Sequence, residues 1–254
     1  MIFSKVKPNE SIALFVKDIL VFDETNNPEN TVLPFFADGY PGFLFHITPN
    51  GQLVQPQNKK MPVTYLHGQT LHPVELHMQG NFKIVSFQLY PFVINSLFNV
   101  NAKELNNGCY DLCQIEEWKP IEKALLNLND TEKQVSVISD FLLKTFNKQK
   151  DQLDLQIKDA IQIILAQNAL ITVQNLSEQL HMTIRTLERR FIKQVGISVK
   201  DFIQTIKFQQ SYEQLSSKDY KKLTDIVFSN GFADQSHFIR VFKAFTGKTP
   251  SKFK

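Results

Sequence analysis

Thr183-Ile184-Arg185-Thr186-Leu187-Glu188-Arg189-Arg190-Phe191-Ile192-Lys193-Gln194-Val195-Gly196 decides how this chain is read. Thr183 is placed to cap a helix, because a threonine oxygen accepts a first-turn amide that has no partner inside the helix. Gly196 supplies the left-handed residue on which helices commonly stop. Between them Leu187, Phe191 and Val195 recur every four residues, with Ile184 one turn before Leu187, which is the stripe of a helix packed on one side. Arg185, Glu188, Arg189 and Ile192 fall on the opposite side, with Lys193 beside them. Such a face suits the major groove, where arginine donates two bonds to guanine O6 and N7 and glutamate accepts from cytosine N4. It equally suits a solvated face in which Arg185 and Glu188, three apart, pair within the helix. Taken alone, this helix leaves both readings open.

The surroundings favour the first. Upstream, a helix over 153–167 carries Leu153, Ile157, Ile161, Ile164 and Leu165. Thr172 caps a short helix through Leu180, and His181-Met182 makes a tight connection to Thr183. Downstream the arrangement recurs. Ser198-Val199-Lys200-Asp201 reads as a capping box, opening a helix through about Leu215 that would be roughly 25 Å long. After a polar connection over 216–222, a short helix starts at Leu223, and Asn230-Gly231-Phe232 turns the chain. Asp234 then caps a last helix with Phe238, Val241, Phe242 and Phe245 inward and Gln235, Ser236, His237, Arg240 and Lys243 outward. Gly247 ends it and Pro250 prevents its resumption. Two short-helix, turn, basic-helix units on one linking helix are able to read neighbouring major-groove faces, about 34 Å apart on one side of B-DNA, without a dimer.

Charge points the same way. The 254 residues carry a net +3, but residues 1–150 hold −2, residues 151–254 hold +5, and the part from Thr183 onward holds +8. This asymmetry suits a polyanion partner for the basic end, with lysines releasing phosphate counterions; a lysine-rich solvated surface is the plainer alternative. At 43% hydrophobic and 21% charged residues the chain is globular rather than disordered. No apolar run approaches the ~18 residues of a membrane span, and the first residues lack the order of a signal peptide. Two cysteines cannot build a disulfide framework. A cytoplasmic protein without a membrane partner is expected.

Residues 153–254 resemble the tandem helix-turn-helix domain of AraC-type transcription regulators. The resemblance rests on Leu187-Glu188-Arg189-Arg190-Phe191, Val195-Gly196-Ile197-Ser198, Lys207-Phe208-Gln209, Gly231-Phe232-Ala233-Asp234-Gln235-Ser236-His237-Phe238, Phe242-Lys243 and Gly247-Lys248-Thr249-Pro250. It implies base contacts from Arg185, Glu188 and Arg189 in the first unit and from Gln235, Ser236, His237 and Arg240 in the second. Thr186, Lys193 and Lys243 complete the candidate DNA-contacting set. Three positions depart from the pattern: Ser177 and Val227 stand where the family usually has alanine, and His181 where it usually has glycine. Val227 adds bulk, and His181 would need a left-handed backbone costing about 1–2 kcal/mol.

The first half has a different texture. Phe43-Leu44-Phe45-His46-Ile47 and Ile84-Val85-Ser86-Phe87-Gln88-Leu89 are strand-like runs, separated by turn signals at Asp38-Gly39, Pro41-Gly42, Asn50-Gly51 and Gln79-Gly80-Asn81. The proline-rich interval 49–62 reads as loop or edge, and 91–98 as a short helix opening on proline. From about Glu116 helical spacing takes over. Asn129-Asp130-Thr131 starts a helix through Phe146 with Val135, Ile138, Leu142 and Leu143 on its stripe, and polar residues 144–152 mark a boundary. The fold expected is therefore α+β: a β-rich small barrel or sandwich, cupin-like, over 1–115, helices over 116–150, and an all-α tandem helix-turn-helix domain over 151–254. The first part resembles, more loosely, the β-rich sensor domains of some AraC-type regulators, through Asp38-Gly39, Gly51-Gln52, His67-Gly68-Gln69 and Phe87-Gln88-Leu89-Tyr90-Pro91. That implies a sensor or dimerisation module. Some of the 13 phenylalanines of residues 1–150 would line an effector pocket, or the 116–146 helices would pair two copies.

Chemistry has less support. His46, His67, His72 and His77 with Glu75 raise a cupin-like metal site, and with it the alternative of a metal-dependent enzyme carrying a helical appendage. The tight His-x-His pair is missing, Pro73 breaks the strand that would align the set, and no nucleophilic triad or phosphate loop is evident. Cys109 and Cys113, four apart, have nothing activating beside them. No cofactor and no catalytic residue is therefore expected. The expected function is sequence-specific DNA binding in transcription control, with double-stranded DNA as partner, a small-molecule effector, a homodimer, and RNA polymerase if the chain activates.

Overall fold

A computed structural model describes residues 1–25, 29–106 and 108–253. Short β-branched and aromatic runs form β1 (Ile2–Val6), β2 (Val16–Glu24), β3 (Asn30–Phe35), β4 (Gly42–Ile47), β5 (Gln52–Gln55), β6 (Lys59–Lys60), β7 (Thr64–His67), β8 (Val74–Gln79), β9 (Phe82–Leu89) and β10 (Cys109–Asp111). They make two antiparallel sheets, β1-β2-β9-β4-β7-β10 and β3-β8-β5-β6. Of the two architectures expected, this is the sandwich, not a closed barrel. Alternation along a strand sends neighbouring side chains to opposite faces. Leu44 thus packs between the sheets with Leu76, Met78 and Ile84. Phe43 and Phe45 point the other way, into a core shared with the helices. The proline-rich 49–62 stretch supplies β5, which pairs with β8, and the edge strand β6.

A 3-10 turn at Pro91–Val93 leads into α1 (Ile94–Phe98), so the proline-led helix over 91–98 is present in two pieces. α2 (Lys119–Leu126) and α3 (Thr131–Gln149) follow. Asp130 caps α3, its Oδ1 accepting the Glu132 amide at 2.9 Å. The polar stretch 144–152 is not an open linker: α3 runs to Gln149, and a 3-10 turn at Lys150–Gln152 leads into the next helix. The apolar stripe of α3, with Ile138, Leu142 and Phe146, is buried inside the molecule.

Six helices complete the chain: α4 (Leu155–Ala166), α5 (Val173–Gln179), α6 (Ile184–Val195), α7 (Val199–Ser217), α8 (Leu223–Ser229) and α9 (Gln235–Thr246). They are the tandem helix-turn-helix units. The large core runs without a break from the six-stranded sheet through Trp118 and Leu142 into Ile157, Leu187 and Phe191. The first unit therefore shares its interior with the β-rich part. The second unit has a separate core of Phe208, Ile226, Phe238 and Phe242, into which Ala37 of the β3–β4 connection is inserted. Among the described residues no helix is long and apolar enough to cross a membrane.

Candidate nucleic-acid interface

Both outward-facing helices are defined by their caps. Thr183 Oγ1 accepts the Thr186 amide at 3.2 Å to start α6, and Gly196 ends it at φ +88°. Asp234 Oδ1 accepts the His237 amide at 2.7 Å to start α9, and Gly247 ends it at φ +74°. Leu187, Phe191 and Val195 of α6 are buried, as are Phe238, Val241, Phe242 and Phe245 of α9. Arg185, Arg189 and Lys193 are exposed on α6, and Gln235, Ser236, Arg240 and Lys243 on α9. Two residues sit lower: Thr186 is half-buried, its hydroxyl 3.0 Å from Thr183, and half-buried His237 packs edge-on against Phe232.

Glu188 departs from the free position expected of it. It is half-buried, and its Oε2 accepts the Val199 amide at 3.2 Å. The Gly196-Ile197-Ser198 turn folds the start of α7 back onto α6, and the unpaired amides of a helix N-terminus draw a carboxylate. Arg190 is also committed. Its Nε and Nη2 donate to Asp154 at 2.9 and 2.5 Å and its Nη1 to Gln156 at 2.5 Å. The Asp154 hydrogen bonds hold the guanidinium even more firmly charged than usual. Asp154 Oδ1 also caps α4 by accepting the Ile157 amide at 3.2 Å, so this pair braces α4 to α6.

α7 carries both units. Its 19 residues span roughly 28 Å, and Ser198 Oγ caps it by accepting the Asp201 amide at 3.0 Å. The Asp201 carboxylate takes the Ser198 hydroxyl at 2.6 Å instead of closing a full capping box. Lys207 Nζ donates to the Gly231 carbonyl at 2.8 Å and Gln210 Nε2 to Asn168 Oδ1 at 3.3 Å. The turn of the second unit is thereby held to α7, and α7 to the end of α4. The departures from the family pattern are absorbed. His181 takes φ +52°, Ser177 Oγ donates to the Gln174 carbonyl at 2.8 Å, and Val227 is fully buried.

Three cues of the first half, at Asp38-Gly39, Gln69 and Gln88, converge on one place. Asp38 Oδ2 accepts Gln88 Nε2 at 2.5 Å and its Oδ1 accepts the Tyr40 amide at 2.9 Å. Gln69 Nε2 donates to the Gly39 carbonyl at 3.2 Å, and the Lys17 ammonium lies 3.9 Å from the Tyr40 ring centre. Burial raises the Asp38 carboxyl above the usual carboxylate range and lowers Lys17. Residues 36–39 form a strap against the second unit. The Phe36 ring lies 5.6 Å from Tyr212 and 5.5 Å from Phe253, and a Cβ on Gly39 would sit 2.8 Å from Ile206. Sequence reasoning missed this strap; its one signal was the Asp38-Gly39 turn. Asn106 adds a second tie, donating to the Gly196 carbonyl at 2.8 Å.

Between the sheets lies a narrow cleft, partly open to solvent, with a cavity volume of about 70 Å³, whose walls include Phe35, Leu44, Met61, Tyr65 and Leu76, with Lys59 beside them. The Tyr65 hydroxyl is taken by Gln52 at 2.8 Å. The metal candidates are not brought together, and among the described residues no three histidine, cysteine or acidic side chains gather. His46 Nε2 donates to the Pro62 carbonyl at 2.8 Å and its Nδ1 accepts Thr48 at 2.6 Å. His67 Nδ1 bonds the Gly68 carbonyl at 3.2 Å. His77 and Glu75 share a face as expected and pair at 2.9 Å near the surface, while His72 is exposed. Cys113 donates to Glu122 at 3.1 Å, and burial pushes its thiol up to about 11.

Two capped, solvent-facing helices, each packed on a short partner and both carried by one connecting helix, define a tandem helix-turn-helix protein. Residues 176–254 match a family described as a helix-turn-helix domain, and residues 4–111 match a domain of unknown function (DUF6597). With the 231–250 signature inside the first match, the C-terminal part of the chain is a helix-turn-helix domain of the AraC type. An uncharacterized HTH-type transcriptional regulator of Staphylococcus aureus is 29% identical over 84 residues, 33% of this chain and 11% of that protein. The Msm operon regulatory protein of Streptococcus mutans is 25% identical over 120 residues, 47% of this chain and 43% of that protein. The chain thus spans about a tenth of the first and somewhat under half of the second. In structure it is similar to ToxT from Vibrio cholerae O395, at 14% identity over 99% of this chain and 96% of that one, with a TM-score of 0.48.

Proposed function

We propose that this chain binds specific duplex DNA by setting α6 and α9 into neighbouring major grooves, and that its β-rich part gates that binding. The observation that carries the proposal is the pairing of exposed Arg185 and Arg189 on α6 with exposed Gln235, Ser236 and Arg240 on α9, both helices braced to α7. Arginine reads guanine bidentately, while glutamine and serine reach other base edges. Lys193 and Lys243 face phosphates, as does the Thr186 end of α6. Glu188 holds the α6–α7 corner and His237 the start of α9, so both position readers more than they read. The cleft between the sheets suits a small, mainly apolar effector, with Lys59 at hand for a polar group. The protein works in the cytoplasm, meets RNA polymerase if it activates, and performs no catalysis.

The test is binding by fluorescence anisotropy to a duplex selected from genomic fragments and to a random duplex of equal length. Arg189→Ala weakens the selected duplex by about 1–3 kcal/mol and leaves the random one nearly unchanged. Equal loss on both would overturn the base-reading role.

A further inference from the structure

α6 and α9 have 12 residues each, between a capping side chain and a left-handed glycine. Ile184 therefore corresponds to Gln235, and Ile192 to Lys243. On a helix, residues four apart form rows along the surface. One row of α6 is Arg185, Arg189 and Lys193, all cationic and exposed. The row beside it is Ile184, Glu188 and Ile192. Ile184 lies one turn beyond the buried stripe, and the two isoleucines are 42% and 36% accessible. The carboxylate between them is drawn off to the Val199 amide at 3.2 Å. The row is thus apolar at both ends, with its one charge turned away. On α9 the same two ends are polar, Gln235 and Lys243, and both are exposed. One isoleucine in solvent is ordinary, but two in a single row beside the exposed arginines set the first unit apart from the second.

We infer that the first unit reads thymine through this row: Ile184 and Ile192 pack on the C5-methyl groups of thymines near the bases that Arg185 and Arg189 take. The inference rests on the placement of α6 in a major groove and adds to it the base that the uncharged row selects. Thymine alone shows a methyl group in that groove, and apolar side chains contact it. Against the other three bases an isoleucine leaves hydrogen-bonding atoms without a partner, which is costly once water is excluded. Both residues are placed for the contact. Ile184 opens α6, and the first residues of such a helix meet base edges. Seven steps of 100° bring Ile192 to within about 20° of Arg185 around the axis. The two isoleucines lie roughly 12 Å apart along the helix, which is about three or four base steps. They therefore serve two different thymines.

The full-length chain is titrated by fluorescence anisotropy against the selected duplex and against copies in which each thymine in turn is replaced by deoxyuridine. That replacement keeps every hydrogen-bonding group of the base and removes only the methyl. The expected result is a loss of about fourfold at two positions in the half read by α6. Ile192→Ala weakens the parent duplex by a similar factor and abolishes the effect of one replacement, while Ile184→Ala abolishes the effect of the other. Ile192→Val keeps the discrimination. Ile192→Lys, which copies α9, loses it and steepens the salt dependence by about one unit. Both side chains are in solvent, so the melting curve stays that of the parent. Specific binding that survives every deoxyuridine replacement, or replacement effects unchanged in both alanine variants, would overturn the thymine assignment and leave the DNA-binding reading standing. No preference for the selected duplex over a random one would overturn both.

Discussion

Arg189 and Arg190 are neighbours in sequence, yet the 100° step of a helix sends them to different partners. Arg189 stays in solvent, while Arg190 turns back to Asp154, whose carboxyl is 13% accessible. Arg190→Ala strands that carboxyl and loosens α4 from α6. It should lower stability by about 1–2 kcal/mol, read as a lower Tm; an unchanged Tm would remove its bracing role. His46 gives a pH dependence. Burial pushes it down to about 4 from an ordinary 6.5, and its two ring bonds, donor at Nε2 and acceptor at Nδ1, suit only the neutral ring. The unfolded chain therefore binds the extra proton between these values. Stability is complete above pH 6.5 and falls as pH drops toward 4, by ~3 kcal/mol at the low end. His67, also lowered by burial, adds to the slope with the same sign. Urea unfolding at about pH 7 and about pH 5 checks this, with His46→Gln flattening the difference; equal midpoints for the parent chain at both would contradict it.

At the scale of elements, the sequence was most legible where a helix begins or ends. Thr172, Thr183, Ser198 and Asp234 all cap as read, because capping is a contact of three residues or fewer and leaves its mark locally. The strand runs around Phe43 and Ile84 were legible for a similar reason, since β preference and turn residues are local. What stayed hidden depends on distant partners. Glu188 looked free because the amide it serves belongs to the next helix. Residues 144–152 looked like a domain boundary because a solvent-facing helix end and a boundary segment share a polar composition. The split into two sheets, and the strap joining one to the helices, follow from pairings far apart in sequence. The α6–α7 corner shows how tightly one of these hidden contacts is drawn. Gly196 lies at φ +88°, and a Cβ there would stand 2.6 Å from the Ala102 carbonyl oxygen. Gly196→Ala therefore adds a clash to a left-handed backbone that alone costs about 1–2 kcal/mol. The expected outcome is a loss beyond that range in urea unfolding, with weaker specific DNA binding as α7 shifts. A variant as stable as the parent would show that the corner yields easily.

Across the whole molecule, the two helix-turn-helix units are held by different means. The first unit is fused to the β-rich part through one continuous core. The second has its own core and is tied on by α7 and by the strap at Phe36, Ala37 and Gly39. The strap starts where β3 ends, and Phe35, the last residue of β3, is a wall of the inter-sheet cleft. An occupant of the cleft would press on Phe35 and through it on the strap that meets the second unit. Because interfaces switch between packed arrangements instead of stretching, a small push there would favour one setting of α9 over another. Phe36→Ala isolates this link: it removes the ring beside Tyr212 and Phe253 while leaving the first unit's core alone. Hydrogen exchange should quicken in α8 and α9 and stay as in the parent in α4 to α6, since local opening follows the loss of buried contacts. Footprints on a selected duplex should then weaken over the half read by α9 and persist over the half read by α6. Faster exchange throughout both units, or protection unchanged in α8 and α9, would mean that the second reader is positioned by α7 alone and that the strap carries no signal.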